Sequence, residues 1–295
     1  MTAPSALPER LAAYGLPGLF DVHVHFLPPN IQAAVWRQFD EAGPKIGRAW
    51  PIRYRGTIEE RVEQLRGFGV RRFTSLPYAH KPGVAGYLND WAAEFSTQYP
   101  DCLRSATFYP EPGVEDYVAA AIDAGVQVFK IHTQVGEFLL DDPLLDLAWD
   151  AIAEAAVPVV THVGSGPVGN VFTGPEHLRR LLVRQPDVPV VVAHLGAPEF
   201  AEFLDLAETY EHTRLDTTMV FTDFLASFPD ELLPRVGQLG DKILYGSDFP
   251  TIPYDYEHQF DSLARLLGRA PGLDDDWLRK VCWGNAAGLF SDQPV

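Results

Sequence analysis

Several histidines and one aspartate stand where apolar segments of this chain end. His23 and His25 are separated by one residue, at the end of the apolar run that starts at Leu19. Because side chains alternate faces along a strand, both imidazoles are expected to point the same way. Two imidazoles side by side on one rigid strand suit two positions on one metal ion. A chance His-X-His on a surface strand is the alternative interpretation of this motif taken alone.

Three more side chains occupy equivalent places. His162 and His194 each end a valine-rich run, in consecutive predicted strands, and Asp248 ends the last run. A lone histidine after an apolar run is more often a hydrogen-bonded core residue than a ligand. A carboxylate at such a place needs a cation or hydrogen bonds. Since all of these side chains would meet at one face of one sheet, their combination favours a metal site.

A regular alternation of strands and helices is needed to position these side chains. Short apolar runs alternate eight times with amphipathic segments, which predicts an α/β fold, a (β/α)8 TIM barrel whose active site lies at the carboxyl ends of the strands. We predict a single domain over residues 1–295, with the barrel core at about 19–290. A doubly wound sheet is the alternative, but the first turn lacks its glycine-rich pattern. The predicted strands are Leu19–Phe26, Val70–Tyr78, Cys102–Tyr109, Val126–Thr133, Val157–Gly164, Val188–Gly196, Thr213–Met219 and Ile243–Phe249.

Two segments are longer than a minimal barrel requires. Leu27–Gly56, after the first strand, is predicted to be a long loop that forms a wall or lid of the site. It contains Arg53 and Arg55, which could bind a substrate carboxylate because guanidinium groups are bidentate and always charged. An insertion packed on the side of the barrel is the alternative. Asp274–Phe290 predicts a closing helix with acidic residues near its positive end.

Composition restricts the partners. The chain has 295 residues, 46% hydrophobic, with a net charge of −17, which disfavours nucleic acid and anionic membranes as partners. No apolar run approaches the roughly 20 residues of a membrane helix, and Met1–Leu16 lacks the apolar core of a signal peptide. The two cysteines, Cys102 and Cys282, fit a reducing cytoplasm. A small-molecule substrate is the expected partner, and assembly into a homo-oligomer is left open.

The motifs DVHVHFLPP, THVGSGP, AHLGA, LYGSDFP and WGNAAGLF occur in this order between Leu19 and Phe290. In this combination the chain resembles the amidohydrolase superfamily, in the amidohydrolase-related branch that includes the aminocarboxymuconate-semialdehyde decarboxylase type. The resemblance implies a distorted (β/α)8 barrel with one divalent transition metal, most often zinc. It implies that the metal ligands are His23, His25, His162 and Asp248. It also implies that His194, beside them, is the acid/base residue.

That site has a definite chemistry. A divalent metal lowers the pKa of a bound water from about 15.7 towards about 7. Asp248 would take the proton of the water, and His194 would stabilise the oxyanion or protonate the leaving group. The sequence therefore predicts a metal-dependent hydrolase that attacks an amide, ester, lactone or ring C–N bond of a small, carboxylate-bearing molecule. A metal-dependent, non-oxidative decarboxylase of an unsaturated or aromatic acid is one alternative, and a non-catalytic barrel is the other.

Lys130 has two interpretations. It shares a face of the predicted fourth strand with His132, which is expected to line the pocket. In binuclear members of the superfamily a lysine at this strand end is carboxylated and bridges two metals, which would add a second metal here. Alternatively, Lys130 is unmodified and binds a substrate carboxylate or pairs with Asp248. Asp216, near the end of the seventh strand, is expected to form local hydrogen bonds rather than to contact a metal.

Overall fold

A computed structural model describes residues 5–222 and 224–291. All eight predicted strands are found, each shorter than its apolar run, and every pair of neighbours is parallel. They are β1 (Leu19–Asp21), β2 (Val70–Phe73), β3 (Ser105–Thr107), β4 (Val128–His132), β5 (Val159–His162), β6 (Val190–Val192), β7 (Thr213–Asp216) and β8 (Ile243–Leu244).

The strands pair around a barrel in two hydrogen-bonded groups. β1 pairs with β2, and β3 to β8 pair in chain order. A parallel bridge between Phe73 and Cys102, with the Leu103 N–H donating to the Phe73 carbonyl at 2.7 Å, spans the gap between β2 and β3. A second bridge joins Val24 to Phe249, beyond the ends of β1 and β8. The architecture is the predicted (β/α)8 barrel.

Helices connect the strands. α4 begins at a capping box, in which the Thr57 hydroxyl accepts the Glu60 N–H at 3.2 Å and the Glu60 carboxylate accepts the Thr57 N–H at 2.9 Å. Short 3₁₀ turns lie at Pro143–Leu145, Asp230–Leu232 and Gly240–Lys242. The helices are α1 (Leu7–Ala13), α2 (Pro29–Asp40), α3 (Gly43–Ile46), α4 (Ile58–Gly67), α5 (Ala85–Gln98), α6 (Val114–Asp123), α7 (Thr133–Gly136), α8 (Asp146–Ala155), α9 (Pro175–Arg184), α10 (Phe200–Thr209), α11 (Leu233–Gln238), α12 (Glu257–Ala264), α13 (Asp275–Arg279) and α14 (Asn285–Ser291).

Apolar side chains form a floor below the site. Along β4, Val128, Lys130 and His132 alternate with outward-facing residues, so they rise on one face from this floor to the barrel mouth. This apolar floor therefore lies between the polar side chains of the site and the opposite end of the barrel. Its members are Phe20, Val22, Leu76, Leu103, Val128, Val160, Val191, Leu244, Ala286 and Phe290.

The predicted closing helix is present, with a π-helical turn at Lys280–Gly284 between α13 and α14. The Asp274 carboxylate caps it by accepting the Trp277 N–H at 2.9 Å. Phe290 stacks on Phe20, with ring centroids 5.5 Å apart, and both belong to the floor. The closing segment thus plugs the end of the barrel opposite the site.

The long segment Leu27–Gly56 contains helices α2 and α3. Its Trp50 is buried, and the indole N–H donates to the Thr251 carbonyl at 2.7 Å. The Arg53 backbone N–H donates to the Ile252 carbonyl at 3.2 Å. The segment therefore packs against the chain that follows Asp248, and its role as a lid stays a prediction.

Among the described residues, no helix is both long and apolar enough to cross a membrane. That the chain forms a single domain stays a prediction. Its cytoplasmic location, inferred from the two cysteines, stays a prediction as well.

Candidate metal centre

The two histidines after β1 each have one ring nitrogen held by an acceptor. His23 Nδ1 lies 2.9 Å from an Asp216 carboxylate oxygen, and His25 Nδ1 lies 2.9 Å from the Leu76 carbonyl oxygen. Since a carbonyl or carboxylate only accepts, Nδ1 carries the proton in both rings. The Nε2 lone pair of each imidazole is therefore the one available to a metal ion, as in carboxylate–histidine–metal arrangements.

Asp248 completes a group of three donor atoms. Its Oδ1 lies 3.1 Å from His25 Nε2 and 3.9 Å from His23 Nε2. The three ligand atoms lie within 4.8 Å of one another, and this is the one such group of three or more found among the described residues. The Asp248 backbone is left-handed, with φ of 69°, and its N–H donates to the His23 carbonyl at 2.8 Å. Strained backbone of this kind is typical of functional sites.

The electrostatics of the group suit a cation. Burial lowers the pKa of His23 to about 3, helped by the nearby Lys130 charge, so the ring is neutral. Burial raises the pKa of the Asp248 carboxyl, but the adjacent His25 and His23 imidazoles more than offset this and hold it below its usual range. His25 Nε2 and Asp248 Oδ1 lie 3.1 Å apart, close enough to share a proton, and a positive ion would take the place of that proton. A set of two imidazoles and one carboxylate fits a divalent transition metal.

His162 and His194 form a second pair on the other side of the barrel. His162 Nε2 lies 2.9 Å from the Gly166 carbonyl oxygen, and His194 Nδ1 lies 3.0 Å from the Thr218 carbonyl oxygen. These contacts place a proton on each of those nitrogens. His162 Nδ1 and His194 Nε2 then face each other at 3.1 Å, and both carry lone pairs unless one ring is protonated. His162 is not in the group of three, and its role as a ligand stays a prediction.

His194 and Asp216 connect the two pairs. His194 has a left-handed backbone, with φ of 58°, and its N–H donates to Asp216 Oδ1 at 3.0 Å. The other Asp216 oxygen accepts the His23 N–H. Burial raises the pKa of Asp216, but the His23 imidazole outweighs this and holds it below its usual range. Asp216 forms a local hydrogen bond, as predicted, by accepting the Thr218 N–H at 3.0 Å, and beyond that prediction it also orients His23.

Lys130 lies inside the site. Its side chain is fully buried, and its Nζ donates to His23 Nε2 at 3.3 Å. Burial lowers the pKa of this amine to about 8, although Asp216 and Asp248 oppose the shift. Both interpretations of this lysine, the carboxylated bridge and the unmodified side chain, stay predictions.

The remaining predicted residues lie in different surroundings. His132 stacks on His162, with ring centroids 4.0 Å apart, so it borders the histidine cluster. Arg53 pairs with Asp255 at 2.8 Å, and its side chain is half exposed. Arg55 pairs with the Asp40 carboxylate. In the described part of the chain neither arginine contacts the histidines, and their roles as carboxylate anchors stay predictions.

Two residues of the site were not identified from the sequence. Asp21 is fully buried, and burial raises the pKa of its carboxyl to about 7, while Ser247 and Tyr256 partly oppose this. The signal was present, since an acid inside an apolar run needs buried partners. Tyr78 lies against His25 and His132, at ring-centroid distances of 5.4 and 5.5 Å. A tyrosine after an apolar run gives no such signal.

Solved structures with the same fold share little sequence with this chain. An uncharacterised TIM-barrel protein from Bordetella bronchiseptica is 18% identical, covers 92% of this chain and 99% of its own, and has a TM-score of 0.69. A 5-carboxyvanillate decarboxylase from Novosphingobium aromaticivorans, complexed with manganese and a nitrobenzoic acid, is 15% identical over 95% and 97%, with a TM-score of 0.65. A probable 2-pyrone-4,6-dicarboxylic acid hydrolase from Acinetobacter baumannii, with citric acid bound, is 15% identical over 93% and 99%, with a TM-score of 0.61.

The family is shown by sequence. Comparison with curated proteins finds no significant match. The family model described as Amidohydrolase, in contrast, matches residues 20–291, which run from within β1 past β8 and include every histidine of the site. The resemblance found in the motifs is thereby confirmed, and the chain belongs to the amidohydrolase family.

Proposed function

We propose that the protein is a metal-dependent hydrolase of a small, carboxylate-bearing molecule. The observation that carries the proposal is the convergence of His23 Nε2, His25 Nε2 and Asp248 Oδ1 within 4.8 Å. Membership of the amidohydrolase family supports an enzyme with a divalent metal. The bond attacked would be an amide, ester, lactone or ring C–N bond.

The resident ion would be a single divalent transition metal, with zinc as our first choice. His23, His25 and Asp248 would hold it, and His162 Nδ1 would be the fourth ligand. When bound, such an ion acidifies water and polarises a carbonyl oxygen. Manganese is present in the decarboxylase structure from N. aromaticivorans, so it is the second metal to test. A second ion would follow if Lys130 is carboxylated.

The protein side chains would divide the proton transfers. Asp248 is ionised and is the most exposed member of the group of three, with 14% of its side chain accessible, so it would accept the proton of the attacking water. His194 presents Nε2 to the site, because its Nδ1 is held by the Thr218 carbonyl. Burial lowers the pKa of His194, so its neutral ring would receive a proton and pass it to the leaving group.

A substrate carboxylate would need a cation at the barrel mouth. Arg53 and Arg55 are our first candidates, since they lie on the segment that packs beside the Asp248 loop. To bind substrate, each would have to leave its present carboxylate, which surface ion pairs permit at little cost. Lys130 is the alternative anchor, and it already lies beside His23.

Decarboxylation is the second candidate function. It is favoured by the fold shared with 5-carboxyvanillate decarboxylase and by the aromatic surroundings of the site. Tyr78 packs against His132, which stacks on His162, so the site offers flat surfaces to an unsaturated or aromatic acid. A non-catalytic barrel is the weakest proposal, because a degenerate site would lack a ligand and none of the predicted ones is missing.

One experiment separates these functions. The zinc- or manganese-loaded protein is incubated in ¹⁸O-labelled water with lactones, esters and amides of small acids, and with unsaturated and aromatic carboxylic acids. We expect ¹⁸O in a product carboxylate without release of carbon dioxide. Release of carbon dioxide without ¹⁸O uptake would instead establish the decarboxylase. The control is Asp248→Asn, which keeps the shape of the side chain but removes both the base and a charged metal ligand, so neither product is expected from it.

We further propose that no nucleic acid or membrane takes part, as the net charge of −17 supports. The protein would act on a small molecule in the cytoplasm. Its assembly into a homo-oligomer would be measured by sedimentation of the purified protein.

A further inference from the structure

The Asp21 carboxylate lies fully buried between the ends of β1 and β8. One of its oxygens, Oδ1, accepts the backbone N–H of His23 at 3.2 Å and that of Ser247 at 3.1 Å. The other oxygen, Oδ2, accepts the Tyr256 hydroxyl at 2.7 Å. Since both oxygens are bound by protein donors, and Asp21 is outside the group of three donor atoms, it is not itself a ligand.

These hydrogen bonds fix the backbone at both sources of ligands. His23 carries one imidazole of the group, and Ser247 directly precedes Asp248, which carries the carboxylate. The Asp248 N–H in turn donates to the His23 carbonyl. The left-handed backbone of Asp248 is a conformation that the surrounding structure has to hold in place. Asp21 therefore links the segments that follow β1 and β8, next to the ligand positions.

Tyr256, whose hydroxyl donates to Asp21 Oδ2, is itself held in place by aromatic neighbours. Its ring stacks on Phe68, with centroids 4.7 Å apart and planes inclined by 5°, and its backbone N–H donates to the Tyr54 hydroxyl at 2.6 Å. The ring is fully buried, so its hydroxyl has little freedom to turn away from Asp21. The pair connects the site to a rigid aromatic layer behind β1.

We propose that Asp21, held by Tyr256, is a positioning residue of the metal centre. It keeps the His23 and Asp248 backbones at the spacing that lets their ligand atoms converge, without touching the ion. The inference rests on the proposed function, because it requires that the group of three binds a metal. Partners that orient metal ligands in this way typically change metal affinity by 10–100-fold when they are removed.

The test measures zinc affinity, which needs no substrate. The dissociation constant for Zn²⁺ is obtained by competition with a chelating dye for the wild type, Asp21→Asn and Tyr256→Phe. The melting temperature of each metal-free protein is measured in parallel. The matched control is Asn89→Ala. Asn89 joins α5 to β3 by two hydrogen bonds to the Thr107 backbone, at 2.7 and 3.0 Å, on a strand that carries no predicted ligand.

We expect Asp21→Asn to weaken Zn²⁺ binding by about 10–100-fold, since the amide loses the charge that strengthens the two backbone hydrogen bonds and its NH₂ group cannot accept the Tyr256 hydroxyl. Tyr256→Phe removes one hydroxyl and keeps the stacked ring, so a loss of at least about 3-fold is expected. Asn89→Ala is expected to lower the melting temperature and leave the Zn²⁺ affinity unchanged.

Wild-type Zn²⁺ affinity in both variants, whatever their melting temperatures, would show that the carboxylate stabilises the fold only and would overturn the inference. If Asp21→Asn does not fold, the Tyr256→Phe result decides alone. A wild-type protein that binds neither zinc nor manganese would overturn the proposed function, and this inference with it.

Discussion

The histidines on the two sides of the barrel mouth face different groups. On the side of β1 and β8, His23 and His25 present Nε2 to the Asp248 carboxylate, so a negative charge lies among the lone pairs. On the side of β5 and β6, His162 Nδ1 and His194 Nε2 face each other at 3.1 Å, and in the described part of the chain no carboxylate pairs with either ring. We infer that the first side is built to hold a metal ion, while on the second side His194 handles a proton and His162 is the proposed fourth ligand.

The difference comes from the groups behind each ring. His23 is held by the Asp216 carboxylate, which makes its imidazole a stronger electron donor. His162 and His194 are held by backbone carbonyls, which fix their tautomers without adding charge. The same side chain is thus directed to different chemistry by its hydrogen-bond partner.

Among the substitutions considered, His194→Asn is expected to change turnover the most. If the second side handles protons, turnover should fall by about 10²–10⁴-fold, the usual range for general acid–base catalysis, while the metal is retained. The measurements are kcat and the metal content of the same preparation. Loss of the metal would show instead that His194 is a ligand of a binuclear site, in which Lys130 is the expected bridge.

Asp216→Asn tests the metal-binding side, because Asp216 accepts a hydrogen bond from His23. The variant keeps the side-chain shape but replaces the charge that orients His23, so the dissociation constant for zinc should rise by about 10–100-fold. Chelator competition measures it. An unchanged constant together with a lower melting temperature would mean that Asp216 serves the fold rather than the ion.

The smallest effect is expected from Arg53→Ala and Arg55→Ala, which lie on the long segment beside the Asp248 loop. If one of them anchors a substrate carboxylate, its loss should lower kcat/KM by a factor worth roughly 1.5–3 kcal/mol. Steady-state kinetics on an acidic substrate, compared with its uncharged amide, check this. Wild-type kinetics in both variants would move the anchor to Lys130.

Much of the fold could be predicted because apolar runs and helical periodicity report burial. Each strand was located, but the regular part of β1 ends at Asp21 and that of β8 at Leu244, well short of the predicted Phe26 and Phe249. At the site the backbone leaves the sheet, bending after β1 and turning left-handed at Asp248. An apolar pattern carries no information about such departures, because buried irregular backbone is as apolar as a buried strand.

The candidate site could be predicted in part. The histidines and Asp248 were identified from their places after apolar runs, and the structure brings three of them together. The direction of each ring could not be predicted, since it depends on carbonyls of Leu76 and Thr218 that are distant in sequence. The long segment was predicted as a loop, yet it contains α2 and α3, whose tertiary contacts no local signal described.

The metal content of the purified protein decides whether His23, His25 and Asp248 form a metal centre. We predict close to one divalent transition metal per chain, and loss of most of it in His23→Ala, His25→Ala and Asp248→Ala, because each removes one member of the converging group. The fold of each variant is checked by circular dichroism. Unchanged metal content in all three variants, or a folded wild type that takes up no metal, would show that these residues do not form a metal centre.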